Sequence, residues 1–543
     1  EREYILPELP VSELSPFFNA GFGRPTKDLS TVVGVLILQQ THDLTDQEAV
    51  DQLSFNIQWH YALNIFEESD SAKYMCPKTL WNMRTIVAEH GLEETLFNAG
   101  TQKLAEVFGV DTDKQRIDSV HIRSNMRRLG RINIFSKSIH RFLKNLKRQY
   151  SSYFETVENA IIDRYLSEKA LACFAMVKPS QGQKTLEQVS TDLYGLIRQF
   201  KDADDVKAMH SFKLLQRILD EQCIVSTSDD DYRVAVKQPK QIPCDSLQNP
   251  SDPDASYSGH KGQGYQVQVM ETYTDTDDPE DKAQTLNLIT HVEVERAHQS
   301  DTHALIPAIE SAQERELAPK ELLADSLYGS DENIETAKDK GVDVISPPMG
   351  REKEGTLGLS DFHLEKSGKV VNCPQGHAPI STTRKKTRYC VAFDLAHCNA
   401  CPNRSICPVK PGKKAYYLRF SDKQLRIALR RSAVETDEFK DRYRWRAGVE
   451  ATMSEFDRRT GVKRLRVRGF KAVRFSATLK ALGLNILRAA AVMAAMLAGT
   501  PDQTDPEGGC YAGINVFKER FWAVFAFFAR LLSCTPFLRA YAQ

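Results

Sequence analysis

The chain has 543 residues, 41% of them hydrophobic, with 72 Lys+Arg against 72 Asp+Glu. That length gives roughly three to four domains with ample apolar content for cores, and the zero net charge by itself points to no partner. Eleven cysteines in so long a chain exclude a disulfide scaffold. The charge is segregated, however. Between Arg116 and Arg148 ten Lys/Arg face Asp118 alone, and between Asp457 and Arg474 eight face Asp457 alone. Acidic runs sit at 202–205, 229–231 and 275–281. Segregation of this kind favours a polyanionic partner.

In chain order, residues 1–27 are Pro-rich and mildly acidic and read as an extended lead-in. Residues 29–40 have helical apolar spacing behind Asp28 as N-cap. Thr45 and Glu48 form a capping-box pattern for a second helix over 46–53. Two helices joined by a short turn admit a helix-turn-helix, although helical hairpins are common without DNA binding. Helical patterns at 79–89 and 92–108 complete an all-helical N-terminal domain over 1–110. Residues 116–122 are β-branched and read as a strand holding Asp118. A carboxylate among core residues is costly unless paired or metal-bound. Asp118 is therefore either a metal ligand or a strand-end partner of Arg116 or Arg123.

Residues 150–240 read as helix with acidic loops. Strand patterns at 262–272 and 286–294 flank an acidic turn. Then come a helix over 301–315, a buried strand over 321–325 ending in Asp325, a turn at Tyr328-Gly329-Ser330, a helix over 333–340 and a strand over 342–346. Strand–helix–strand alternation implies a parallel element, and ligands of open α/β sheets gather at the carboxyl ends of strands, where Asp325 sits. Residues 350–420 turn rich in Gly, Lys, Cys and Thr, with strand patterns at 362–371 and 415–420. Helical spacing then resumes as far as Gly461. Within it Tyr443, Arg446 and Glu450 fall at i, i+3 and i+7 and share one helix face. The ordinary reading of that face is an exposed helix with an Arg–Glu pair. Two apolar stretches follow, 478–497 and 521–529. Both read as buried helices, since the first carries Lys480 and Arg488 and the second is too short to span a bilayer. No signal-peptide pattern is visible.

Two constellations carry chemistry. Two strand carboxylates and one helix carboxylate, Asp118, Asp325 and Glu450, can converge on two divalent cations, which in such sites lie about 3.5–4 Å apart. Mg²⁺ suits a set of a few carboxylates plus substrate phosphate. The second constellation is Cys373-Pro-Gln-Gly-His377 followed by Cys398-x2-Cys401-x5-Cys407, with Cys390 nearby. C-x2-C is a zinc half-site. Cys373, Cys398, Cys401 and Cys407 are the preferred ligands, His377 is a rival for any of them, and the alternative is a set of reduced, partly buried thiols.

On these residues the chain resembles the DDE-type transposases of bacterial insertion sequences over most of its length. The motifs are Arg-Ile-Asp118-Ser-Val-His-Ile, Leu-Leu-Ala-Asp325-Ser-Leu-Tyr-Gly-Ser and Tyr443-x2-Arg446-x3-Glu450. The Gly-Arg24-Pro segment, the 29–53 segment and Ser258-Gly-His-Lys261-Gly-x-Gly-Tyr265 resemble further parts of that family. The resemblance implies an α/β, ribonuclease-H-like catalytic core over 111–124, 251–349 and 421–475, with 1–110 as a DNA-binding domain. The spacing from Asp118 to Asp325, 325 − 118 = 207 residues, leaves 125–250 as a mainly helical insertion. Residues 350–420 form a Cys-rich, zinc-binding β insertion, and 476–543 a C-terminal helical region. The resemblance also implies that Asp118, Asp325 and Glu450 bind catalytic Mg²⁺ (or Mn²⁺). Tyr443 and Arg446 would contact DNA phosphates near the scissile bond. Arg123, Arg127, Arg128, Arg464, Arg466 and Arg468 are further candidate phosphate contacts. Where the signature usually has Lys or Arg, this chain has Asp457, with Arg458 one residue out of phase as the candidate substitute. The implied activity is metal-dependent cleavage at element ends and joining of the 3′-hydroxyls to target DNA. The expected setting is a homodimer on double-stranded DNA in the bacterial cytoplasm, at the nucleoid and without a membrane. The rivals are a nuclease that cuts without joining and a transposase-derived DNA-binding protein without catalysis.

Overall fold

The computed structural model describes residues 2–18, 27–228, 231–350 and 353–499. Contacts divide the chain into Glu1–Val492 and Met493–Gln543; in the second unit the described residues, 493–499, are helical. The N-terminal helices are α1 (Leu29–Thr41), α2 (Asp46–Phe55), α3 (Pro77–His90) and α4 (Leu92–Phe108). Their ends follow the sequence signals. Asp28 accepts from Thr31 N at 2.7 Å, and Thr45 and Glu48 close the capping box. Gly91, at φ +71°, ends α3 and opens α4. α1 is buried on every side from Thr31 to Thr41, so it is a core helix, and the plain packed hairpin, one of the two readings open for α1 and α2, accounts for that burial. One expectation fails here. Residues 2–18 are not an extended lead-in but a series of helical turns that bury Ile5, Leu9 and Leu14. The Gly-Arg24-Pro segment lies outside the described residues.

The central sheet begins with β1 (Lys114–Arg123). Helices α5 (Arg131–Gln149), α6 (Gly182–Gln199) and α7 (His210–Gln222) follow and share their own core, including Phe142, Leu193 and Phe212. A hairpin of Cys223–Ser228 with Asp231–Val236, not visible in the sequence pattern, closes this part. The sheet resumes with β2 (Gly262–Thr272) and β3 (Ile289–Arg296), then α8 (Leu305–Gln313), β4 (Glu321–Leu323), α9 (Asp331–Asp339) and β5 (Asp343–Ile345). β1, β2 and β3 pair antiparallel, whereas β1–β4 and β4–β5 pair in parallel. The order is β3-β2-β1-β4-β5, with Ser256–Ser258 extending the outer edge of β2. Alternation along β1 sends Ile117 to the face covered by α8 and α9, and Val120 and Ile122 to the opposite face.

Residues 353–421 hold a pairing of His363–Leu364 with Val370–Asn372 and a four-stranded antiparallel sheet. Its strands β6 (Ser381–Lys385), β7 (Arg388–Phe393), β8 (Lys410–Pro411) and β9 (Tyr416–Ser421) run in the order β6-β7-β9-β8. Four helices end the described chain: α10 (Asp422–Val434), α11 (Asp437–Tyr443), α12 (Gly448–Thr460) and α13 (Phe470–Gly499). α12 and α13 cover the Val120–Ile122 face together with α1 and α4. By length and composition α13 is apolar enough to cross a bilayer, but half of its most apolar window is buried in protein. Its polar side chains have partners there. Lys480 donates to Gln40 O (3.2 Å), to the Asp43 carboxylate (2.9 Å) and to Thr460 O. Asn485 brackets Ile289 of β3 with two 2.8 Å bonds. From Thr478 to Ala489 α13 is a core helix, as the sequence predicts, whereas 490–497, expected to be buried as well, is largely exposed; the 521–529 stretch lies outside the described residues.

Candidate active site and cysteine cluster

β1 and β4 run in parallel with Arg116 opposite Leu323. Two residues on in each (118 − 116 = 325 − 323 = 2), the same register sets Asp118 beside Asp325. Neighbouring strands lie about 4.8 Å apart. Asp118 is still within β1, opposite Val269 of β2. Asp325 lies just beyond β4, where its Oδ1 accepts from Leu327 N at 2.8 Å. Asp118 Oδ1 accepts from Ser119 N and Oδ2 from Arg446, both at 2.8 Å. The two side chains of that ion pair are only 20% and 18% exposed. Burial raises the Asp118 pKa, and the charges of Asp325 and Asp301 push the same way, against the Ser119 N–H and Arg446.

The Tyr443–Glu450 stretch is not the single α-helix its spacing predicts. α11 ends at Tyr443, Arg444–Ala447 wind as a 3₁₀ turn, and α12 starts at Gly448. Arg116 enters at this point. Its Nη1 donates to Trp445 O at 2.8 Å and its Nε to Glu271 at 2.7 Å. A Cβ at position 448 would stand 2.1 Å from Arg116 Nη1, so glycine is what admits the guanidinium.

Tyr443 stacks on Phe439 and packs with it against Leu323, Ile345 and Tyr273. Burial raises its pKa, and Asp325 and Asp118 add to the rise while Arg446 opposes it. The structure thus brings Asp118, Asp325, Tyr443 and Arg446 together. Arg446 Nε is buried with no partner, which leaves a donor to spare. Glu450 stands apart. It is exposed in the first turn of α12 and makes no hydrogen bond or ion pair among the described residues. Among the described residues no three His, Cys, Asp or Glu side chains converge closely enough to hold a metal ion.

Sequence reasoning missed the buried carboxylate that supports this arrangement. Glu271 of β2 is inaccessible and accepts from Arg116 of β1, Thr452 of α12 and Arg488 of α13. It ties the strand of Asp118 to the helix of Glu450. Its arginine partners lie 155 and 217 residues away, so no local spacing reveals them. Lys261 and Asp301 were missed as well. Lys261 Nζ donates to Ser119 Oγ (2.9 Å) and lies 3.7 Å from Asp301. Burial, then Lys261 and Arg123, lowers the His121 pKa to about 4, so that imidazole is neutral at physiological pH.

Arg123, Arg127 and Arg128 are exposed, with Arg128 over the Tyr257 ring at 3.8 Å. Arg458, Arg464, Arg466 and Arg468 are exposed too, and Arg466 lies 3.4 Å from Asp43. Asp457, where the signature expects a cation, accepts from Lys463 N at 3.0 Å. It shapes the turn past Gly461 (φ +67°) from which the basic run starts.

Cys373, Cys398, Cys401 and Cys407 line one small cavity of about 30 Å³ with His377 and His397, space for a single ion or water. Cys373 sits in a turn closed by Cys373 N→His377 O and Gly376 N→Cys373 O. Burial raises the Cys398 and Cys407 thiols, and the charges of the other cysteines in the set add to the rise; Arg404 opposes it. Cys390 lies on β7, opposite Thr383 and Arg419, and is not among the residues lining the cavity.

Comparison with known families gives two matches. Residues 372–490 match the transposase DDE domain, a span that takes in the four cysteines, Tyr443, Arg446 and Glu450. Residues 3–85 match the transposase domain (DUF772), a span that takes in α1, α2 and most of α3. Asp118 and Asp325 lie outside both spans. No curated protein matches the chain.

Proposed function

We propose that this chain, a DDE-type transposase of an insertion sequence, cleaves phosphodiesters at the ends of its element and joins the 3′-hydroxyls to target DNA. The observation that carries the reading is the parallel register that sets Asp118 beside Asp325, with Arg446 bonded to Asp118 and Tyr443 next to both. A β3-β2-β1-β4-β5 sheet, antiparallel on one side of β1 and parallel on the other, supports a ribonuclease-H-like core. The acids are hard oxygen donors. Asp325 Oδ2 and both Glu450 oxygens carry no hydrogen bond among the described residues and are free to take a hard divalent cation, for which Glu450 would have to approach the two aspartates. Mg²⁺ or Mn²⁺ held by Asp118, Asp325 and Glu450 would neutralise charge on the phosphate and act as Lewis acid.

The chain's own residues do the positioning. Arg446, with its spare Nε, binds a non-bridging phosphate oxygen and holds Asp118 in place. Tyr443 donates its hydroxyl to the same phosphodiester. Arg123, Arg127, Arg128, Arg458, Arg464, Arg466 and Arg468 hold flanking phosphates of double-stranded DNA, and element ends are paired by a homodimer. We place this activity in the bacterial cytoplasm, at the nucleoid. Cys373, Cys398, Cys401 and Cys407 line one cavity with His377 beside them, and a structural Zn²⁺ there would draw their side chains closer together than they stand in this structure. The test is incubation of the full chain and Mg²⁺ with a plasmid carrying the element ends. Cut ends and joined products together support the reading; cutting that never yields a joined product assigns a nuclease instead.

A further inference from the structure

The two N-terminal helices whose spacing allows a helix-turn-helix do not present a DNA-reading face. α1 is buried, and α2 exposes Glu48 and Asp51, which repel phosphate, beside the neutral Gln47. α4 exposes Glu94 and Glu106. α3 differs. Its outward positions are Lys78, Trp81 and Asn82, with the half-buried Thr85 continuing the stripe at the i, i+3, i+4 and i+7 offsets and the exposed Glu89 one turn further on. Its inward positions, Leu80, Met83 and Val87, are buried and fix that orientation. Trp81 is 49% exposed, with the Lys78 ammonium 3.3 Å from its ring centre. The exposed indole with its neighbouring ammonium offers a partner an apolar face and a positive charge side by side.

A cleft separates α3 from the basic loop that leads into α13. Trp81, Thr85, Glu89 and Arg84, the last paired with Asp46 at 2.6 Å, form one wall, Arg466, Arg468 and Lys471 the other, and Asn125 lies between them; the loop side carries the excess positive charge. The loop is held firmly. Gly469 N donates to Asp252 at 3.1 Å and Phe470 N to Asp254 at 3.0 Å, while Asn125 Nδ2 reaches Arg466 O at 3.4 Å. Arg468 and Lys471 meet no carboxylate among the described residues, so their charges face outward uncompensated. Asn125 is seven residues past Asp118 (125 − 118 = 7), so the cleft floor lies within roughly 25 Å of the acids by chain reach. One duplex can therefore occupy both places.

We propose that α3 is the sequence-reading helix: Lys78, Trp81, Asn82 and Thr85 enter the major groove of the DNA whose backbone Arg466, Arg468 and Lys471 hold. This rests on the transposase reading and adds to it the surface that tells one DNA sequence from another. An asparagine on such a stripe can bond an adenine edge with both amide atoms, threonine and tryptophan offer contact to a thymine methyl, and the loop cations supply affinity without sequence preference.

The experiment selects binders from a library of random duplexes with the full chain, without added magnesium, and then measures affinity against salt. The wild type should enrich a defined sequence. Asn82→Ala should lose preference at about one base pair, roughly 5- to 150-fold in affinity ratio, with the salt slope unchanged. Trp81→Ala should alter the same stretch of the sequence. Arg468→Ala with Lys471→Ala should weaken binding to all duplexes alike and reduce the salt slope by about two. These side chains are at the surface, and a melting midpoint equal to wild type checks the fold. If Asn82→Ala and Trp81→Ala enrich the wild-type sequence with wild-type affinity, the α3 assignment is overturned; enrichment of no sequence by the wild type overturns it too. Failure of the wild type to bind any duplex overturns the transposase reading instead.

Discussion

The sheet end around Asp118 and the cavity of Cys373, Cys398, Cys401 and Cys407 face the same physical problem and answer it differently. Each gathers groups that repel one another when ionised. At the sheet end the chain supplies its own counter-charge: Arg446 sits 2.8 Å from Asp118, and Glu271 below is matched by Arg116 and Arg488. In the cysteine lobe the cation that acts on the buried sulfurs is Arg404, while burial and the other sulfurs push Cys398 and Cys407 towards the neutral thiol. The difference teaches where an external cation matters for stability. The sheet is braced from within the chain. The lobe has a small core built on Tyr389, Val391, Phe393 and Leu418, and under the proposed zinc site it would rely on a bound cation for the rest.

Removing the metal should break that comparison most sharply. We expect purified protein to carry about one zinc per chain, and a chelator or Cys398→Ser to release it. A structural zinc accounts for about 10 kcal/mol or more of folding free energy, so amide exchange should accelerate across 356–420 and stay slow in β1 and β2. Equal protection of the lobe with and without chelator would contradict this. Next comes Glu271→Ala, which leaves Arg116 buried without its acid and Arg488 with Glu455 alone. It should cost about 3–5 kcal/mol in denaturant unfolding. Gly448→Ala should cost less, about 1–3 kcal/mol, because the methyl must displace Arg116 from Trp445 O; a midpoint equal to wild type would mean that Arg116 moves freely.

The smallest effect has the opposite sign. The folded-state pKa of Asp118 is raised, so its ionised form is disfavoured in the native protein. Below the unfolded-state pKa both states are protonated and the group is neutral in its effect. As pH rises through the folded-state value, the native state loses stability. Asp118→Asn should therefore be more stable than wild type at neutral pH by on the order of 1 kcal/mol in magnesium-free buffer. The advantage should vanish as pH falls below the carboxylate range. Melting curves across pH check the sign.

Much of this was legible in the sequence because local signals carry it. The capping boxes, the β-branched run around Asp118, the strand that leads to Asp325 and the Gly461 stop are all read within a few residues. The convergence of Asp118 and Asp325 was expected from the chemistry of paired acids and the family resemblance, but the parallel register behind it was not legible, because it joins strands about 200 residues apart. Helical periodicity also misled once. It made one face of Tyr443–Glu450, where the middle winds as a 3₁₀ turn beside Arg116. For α1 and α2 it left a helix-turn-helix and a plain hairpin both open, because the burial of α1 on every side is a tertiary property. The strands β6 and β7 escaped because β6 is fully exposed and carries no apolar alternation.

The central claim is that Asp118, Asp325 and Glu450 serve one phosphoryl-transfer site, and Glu450, which stands apart from the other two, is its weakest point. The direct measurement is the rate of DNA strand cleavage in Mg²⁺ for Asp118→Asn, Asp325→Asn and Glu450→Gln, each beside its duplex affinity. The account predicts a loss on the order of 1000-fold in cleavage for all three with duplex binding preserved. Cleavage by Glu450→Gln at the wild-type rate, while the two aspartate variants are inactive, would contradict it.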